Sequence, residues 1–286
     1  MADDPGGDLD DDPGDGDPVD DPTIRFAALV SGPEDELPLD EAALLIAAHA
    51  YPDLDVSFEL ELLDGLAERC PDRSLDGWRR YLFGELGYTG NVTSYYDPDN
   101  SFLHQVMRRR VGLPISLSVL GLSVGARLGL RLSGVGLPGH FLLRHDGEPA
   151  AGAGGGPVFV DPFAGGRLLD RDGCIERFHA VNGRSSPFLD AYLEPVGPRA
   201  ILGRMLANLR AIYASRGDLD SLAWVFALRL AIPGTPAVER RELARVLGAT
   251  GQFVEAAEVL EGLAVALPDL EGQLRAEATG LRSRLN

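Results

Sequence analysis

His140 opens the run GHFLLRH and Asp161 closes the run VFVD. An imidazole and a carboxylate on neighbouring strands can share a hydrogen bond that fixes the ring's tautomer and leaves its second nitrogen free as a base. A nucleophile to complete the pair could stand at the start of the helix just upstream, where the N-terminal dipole lowers a thiol's pKa. That helix, VGLPISLSVLGLSVGARLGL, has Pro114, Ser116 and Ser118 at its start and no cysteine. Ser116 and Ser118 are therefore candidate nucleophiles, and each needs a positioned base and an oxyanion hole. No GxSxG elbow surrounds them, and the competing role for helix-start serines is to cap backbone amides.

The chain's two cysteines stand elsewhere. Cys70 falls near the C-terminal end of its helix, where the dipole disfavours a thiolate. Cys174, in RDGCIERF, lies near a helix start but follows Asp161 in the chain. For His140 and Asp161 the competing role is structural: a buried hydrogen-bonded tether, with DPFAGG forming a turn. His104 with Asp97 and Asp99 matches no zinc spacing, so neither a metal nor another cofactor is expected. Arg108, Arg109 and Arg110 end a helix, where cations offset the dipole. Tyr95 and Tyr96 are candidates to line a groove beside His140, together with Asn100 and Pro114, although aromatic packing under the loop would also explain the tyrosines.

The elements that must position these groups follow from periodicity. LDEAALLIAAHAYP, DLDVSFELELLDGLAERCP, WRRYLFGELGY and SFLHQVMRRR read as helices, and the helix after Pro114 is apolar on nearly every face, as a core helix is. LRLSGVGLP, HFLLRH and VFV read as short strands, the last two joined by the flexible connection DGEPAAGAGGGP. The fold class is α+β, helices followed by a small antiparallel sheet. After Pro198 the pattern is helical to the end, and Gly217 and Gly251 recur at the tetratricopeptide period.

YYDPDNSFLHQVMRRRVGLPISLSVLGLSVGARLGL, GVGLPGHFLLRH and VFVDPFAGGRLL together resemble the SirB-type branch of the transglutaminase-like superfamily. The resemblance covers roughly 38–195 and implies a papain/transglutaminase-like core followed by tetratricopeptide-like helices, so the expected domains are a transglutaminase-like unit over 23–195 and a tetratricopeptide-like all-α module over 196–286. It also implies a Cys–His–Asp triad in active relatives, with His140 and Asp161 at the last two positions. Here Pro114 to Ser116 occupy the place of the thiol.

Composition bounds the rest. The net charge of −18 opposes attraction to nucleic acid or anionic lipid. Residues 1–22 are almost wholly Asp, Gly and Pro and read as a disordered acidic tail. No apolar run approaches the roughly 20 residues of a membrane span, and no secretory pattern opens the chain, so a cytoplasmic protein is expected. Every basic residue is Arg, which excludes Schiff-base and P-loop lysine chemistry. Two functions compete. One is a non-catalytic peptide- or protein-binding module with a preference for basic partners. The other is a hydrolase or acyl-transfer enzyme using Ser116, Ser118 or Cys174 with His140 and Asp161.

Overall fold

The computed structural model describes residues 21–147 and 157–285. Of the acidic run 1–22, only the last two residues are among them, and they belong to the fold. The Asp21 carboxylate accepts from the amides of Thr23 and Ile24, and Pro22 is the first residue of α1 (Pro22–Ser31). An Asp–Pro pair is a strong cap and first-turn signal, so the helix begins inside the stretch assigned to the tail. The remainder of that stretch and most of DGEPAAGAGGGP lie outside the described residues.

Next come α2 (Leu39–Ala48), α3 (Val56–Glu68), α4 (Leu75–Arg79, continued by a π-helical turn Arg80–Glu85), α5 (Leu103–Arg109) and α6 (Pro114–Arg127). Asp55 and Ser74 cap α3 and α4 through their side chains. Two residue pairs, β1 (Thr89–Gly90) and β2 (Val111–Gly112), run parallel and bring the loop before α5 beside the start of α6. α6 is the central helix, with α2, α3 and α5 packed around it. Its Gly121 lets the sheet approach: a β-carbon there would meet Leu143 at 2.8 Å and Trp78 at 3.1 Å.

The sheet has five antiparallel strands, β3 (Leu132–Val135), β4 (Leu142–His145), β5 (Val158–Asp161), β6 (Arg167–Leu169) and β7 (Pro195–Val196), in the order β6-β5-β4-β3-β7. β6 and β7 are too short to leave a pattern that sequence reading detects. Alternation divides the sheet's two faces. Leu143 and Val160, paired across β4 and β5, enter the main core with α6. Leu142 and Phe159 point the other way, into a second core with Cys174 and Phe178 of α7 (Arg171–Asn182). The sheet thus lies between α6 and α7.

Five further helices follow: α8 (Pro198–Arg216), α9 (Leu219–Ala231), α10 (Val238–Ala249), α11 (Phe253–Ala266) and α12 (Glu271–Arg282). Each packs on the next from α8 to α12, and α9 also packs on α1. Gly217 ends α8 in the left-handed conformation, and Gly251, also at positive φ, lies just after α10. Among the described residues no helix is long and apolar enough to cross a membrane.

Candidate functional site

The structure brings His140 and Asp161 together. His140 Nε2 lies 2.9 Å from Asp161 Oδ1, and both side chains are buried. His140 does not start the strand, as its sequence context predicts; it sits in a turn two residues before β4, its amide donating to Leu137 O. Gly139 makes this turn possible. Its φ is +72°, and a β-carbon would stand 2.5 Å from Val181 of α7. Asn182 Nδ2 donates to Pro138 O from the same helix, while Arg204 of α8 donates to the carbonyls of Leu137 and His140. Two helices therefore hold the turn that presents the imidazole.

A third residue completes the cluster. Arg177, on α7, places Nε 3.0 Å from Asp161 Oδ2 and 3.2 Å from His140 Nε2. These contacts compete for protons, and the carboxylate decides between them. Burial alone would raise the Asp161 pKa, but the His140 hydrogen bond, the neighbouring charges of His140 and Arg177, and the Ala164 amide together hold it below the ordinary carboxylate value. An ionised Oδ1 at 2.9 Å requires a proton on Nε2, so the guanidinium bond that counts is the one to Oδ2. His140 Nδ1 makes no hydrogen bond among the described residues. Sequence reading missed Arg177; the only available signal was its position one turn after Cys174 in a helix following VFVD.

The candidate nucleophiles are engaged elsewhere. Ser116 Oγ donates to Asn100 O and accepts from the Leu113 amide at 3.0 Å. Ser118 Oγ donates to Pro114 O at 2.8 Å. Both serines are buried, and neither is hydrogen-bonded to His140. Cys174 is fully buried in the second core; burial first, then the charges of Asp170 and Asp161, push its thiol up to about 12. Cys70 is also buried, and its thiol is raised, mainly by burial. What His140 does face is Phe163, ring edge to ring face with centroids 6.0 Å apart. The same ring packs against Gly90 of β1, where a β-carbon would come within 2.4 Å of it, and against Tyr95 at 6.0 Å. Alternation puts Asp161 on the Phe159 face of the sheet, toward α7 and away from α6.

Asn100 and Pro114, two of the four binding candidates, are buried and offer no surface to a partner. Pro114 is the first residue of α6. Asn100 pins the preceding loop: its Nδ2 donates to Ser94 O and Tyr95 O, and its Oδ1 accepts from Asn91. The other two candidates lie on that loop. Tyr96 is 73% exposed and Tyr95 38%, with Val92 beside them at 77%. Asp97 and Asp99 pair with Arg109, Arg108 pairs with the buried Glu59, and Arg110 ends α5 in the left-handed region. His104 packs edge-on against Tyr51 at 4.5 Å. Among the described residues no three His, Cys, Asp or Glu side chains are grouped to hold a metal ion.

This core, a central helix under an antiparallel sheet with an imidazole–carboxylate pair at one end, coincides with a family match: the transglutaminase-like superfamily model covers residues 54–207. The chain belongs to the transglutaminase-like superfamily. It is 41% identical over 207 residues to a UPF0162 protein of Xylella fastidiosa, covering 68% of this chain and 72% of that one. A UPF0162 protein of Pseudomonas aeruginosa is 32% identical over 188 residues, 63% of this chain and 66% of its own length. F-box only protein 21 of Mus musculus is 38% identical over 149 residues, half of this chain and 22% of that protein. No solved structure matches the chain. Within this transglutaminase-like core, Arg177 also contacts the His140–Asp161 pair.

Proposed function

We propose that this protein is a non-catalytic transglutaminase-like module of the SirB-type branch that binds a peptide or protein partner, with its last helices forming a tetratricopeptide-like extension. The observation that carries this reading is the loop 91–96. Val92 and Tyr96 project from a backbone fixed by a fully buried Asn100 and by Arg216, which donates to Tyr96 O at 3.1 Å. A rigid loop presenting an aliphatic and an aromatic side chain loses little entropy on binding. Burial of Tyr or Trp at such a point is how interfaces concentrate their energy. The engaged serines and the protonated, buried Cys174 support the non-catalytic half of the reading.

The partner is a segment with an apolar residue to cover Tyr96, flanked by basic residues that answer the chain's net charge of −18, and the setting is cytoplasmic. Capture experiments with wild type, Tyr96→Ala and Val92→Asp test the loop directly. Both positions are exposed, so neither substitution disturbs the core. Partner recovery should fall about tenfold or more in each variant, as for a hot-spot residue. Equal recovery from all three would remove the loop from the interface.

A further inference from the structure

The helices after α7 hold a groove whose charge opposes that of the whole chain. Two adjoining clefts of about 740 and 450 Å³ share Glu242, Arg245 and Ala249, and they run along α8, α9, α10 and α12. Their walls carry four arginines, Arg210, Arg241, Arg245 and Arg284, against two carboxylates, Glu242 and Glu277. The chain as a whole has 26 basic and 44 acidic residues. Glu277 pairs with Arg241, and Glu242 with Arg245. Among the described residues neither Arg210 nor Arg284 lies within 4 Å of a carboxylate, although Glu239 feels the charge of Arg210; each guanidinium lies over an aromatic ring, Phe226 and Phe253 respectively, at 5.9 Å. Between the arginines the lining is apolar or small, with Leu219, Leu222 and Phe226 on one side and Gly248 and Gly280 on the other.

One segment of the same chain has the complementary chemistry. Residues 1–20 contain nine aspartates and no basic residue. They end at Asp21, the cap of α1, and α1 packs on α9, one of the groove helices. Twenty residues reach up to about 65 Å, so the groove is within range. Tethering gives such a segment an effective concentration that separate acidic chains do not match.

We propose that the arginine-lined groove of α8–α12 docks the chain's own Asp-rich segment, residues 1–20. This goes beyond the binding role assigned to the loop 91–96 and stands independently of it.

The test uses the full chain with a benzophenone amino acid in place of Leu9, which keeps every aspartate, irradiated at dilution and mapped by peptide mass spectrometry. Docking predicts crosslinks within one molecule to α10 and α12, reduced about fivefold or more by about 0.5 M salt. The same loss is expected in Arg210→Glu/Arg284→Glu and in a variant with all nine of these aspartates changed to Asn, which leaves the folded part untouched. Crosslinks confined to other helices or to a second molecule, the absence of crosslinks, or a pattern unchanged by the Asn variant would overturn the proposal.

Discussion

Arg177 Nε lies 3.0 Å from Asp161 Oδ2, while the other oxygen of the same carboxylate accepts from His140 at 2.9 Å. Asp161 is thus the shared anion of a three-residue cluster linking β5, the turn before β4, and α7. Removing one member of a buried ion cluster strands the others. Asp161→Asn should cost about 3 kcal/mol and Arg177→Met, at a half-buried position, about 1–2 kcal/mol. A double-mutant cycle by urea unfolding should show the paired loss to be smaller than the sum, and strict additivity would contradict the cluster.

The same cluster sets an acid limb. The folded pKa of Asp161 is depressed, so its stabilisation is complete above the unfolded value of about 3.9 and is lost as pH falls through the folded value. Below pH 4 the wild type should lose stability faster than Asp161→Asn. Parallel curves in thermal melts across that range would contradict the assignment.

Ser116 is assigned to architecture, joining the start of α6 to the Asn100 loop. Ser116→Ala removes the hydroxyl that bridges the Leu113 amide and the Asn100 carbonyl, which keep their own backbone bond at 3.1 Å, and should cost about 1–2 kcal/mol. Ser118→Ala removes only a bond back to Pro114 O, a carbonyl one turn earlier, and should cost less than about 1 kcal/mol. Chemical denaturation of the two variants checks the order, and equal costs would place the two hydroxyls in the same role.

Among the described residues His104 has no hydrogen bond to either ring nitrogen, and it is fully buried. Burial, reinforced by Arg108 and partly offset by Asp99, lowers its pKa to about 4. The unfolded chain binds the proton first, so stability should fall as pH drops from about 6.5 toward 4, by up to about 3 kcal/mol from this residue. His49 and His145 shift in the same direction, so the informative quantity is the difference from His104→Leu, which should flatten that slope and raise stability at neutral pH. An unaltered slope in the variant would rule out His104 as the source.

The helices from α2 to α6 and strands β3 to β5 were legible because each carries an apolar pattern long enough to set a period. The contact between His140 and Asp161 was legible for a similar reason: both sit at the ends of runs that pair. Arg177 was not. Its role depends on α7 crossing the sheet face opposite α6, which no local pattern encodes. The start of α1 was obscured by the aspartates before it, since the residue that caps the helix has the composition of the run preceding it. The charge of the groove in the last helices was hidden for the opposite reason, because its arginines are scattered over α8, α10 and the turn after α12, and the net charge of the chain masks them.

The central claim is that the imidazole–carboxylate pair has no nucleophile, and it is tested most directly by labelling the native full chain with a fluorophosphonate and with iodoacetamide, followed by peptide mass spectrometry. With Cys174 protonated and both serines engaged, the account predicts no adduct at Ser116, Ser118 or Cys174 until the chain is unfolded. Stoichiometric modification of any one of them in the folded protein, lost in His140→Ala, would contradict it.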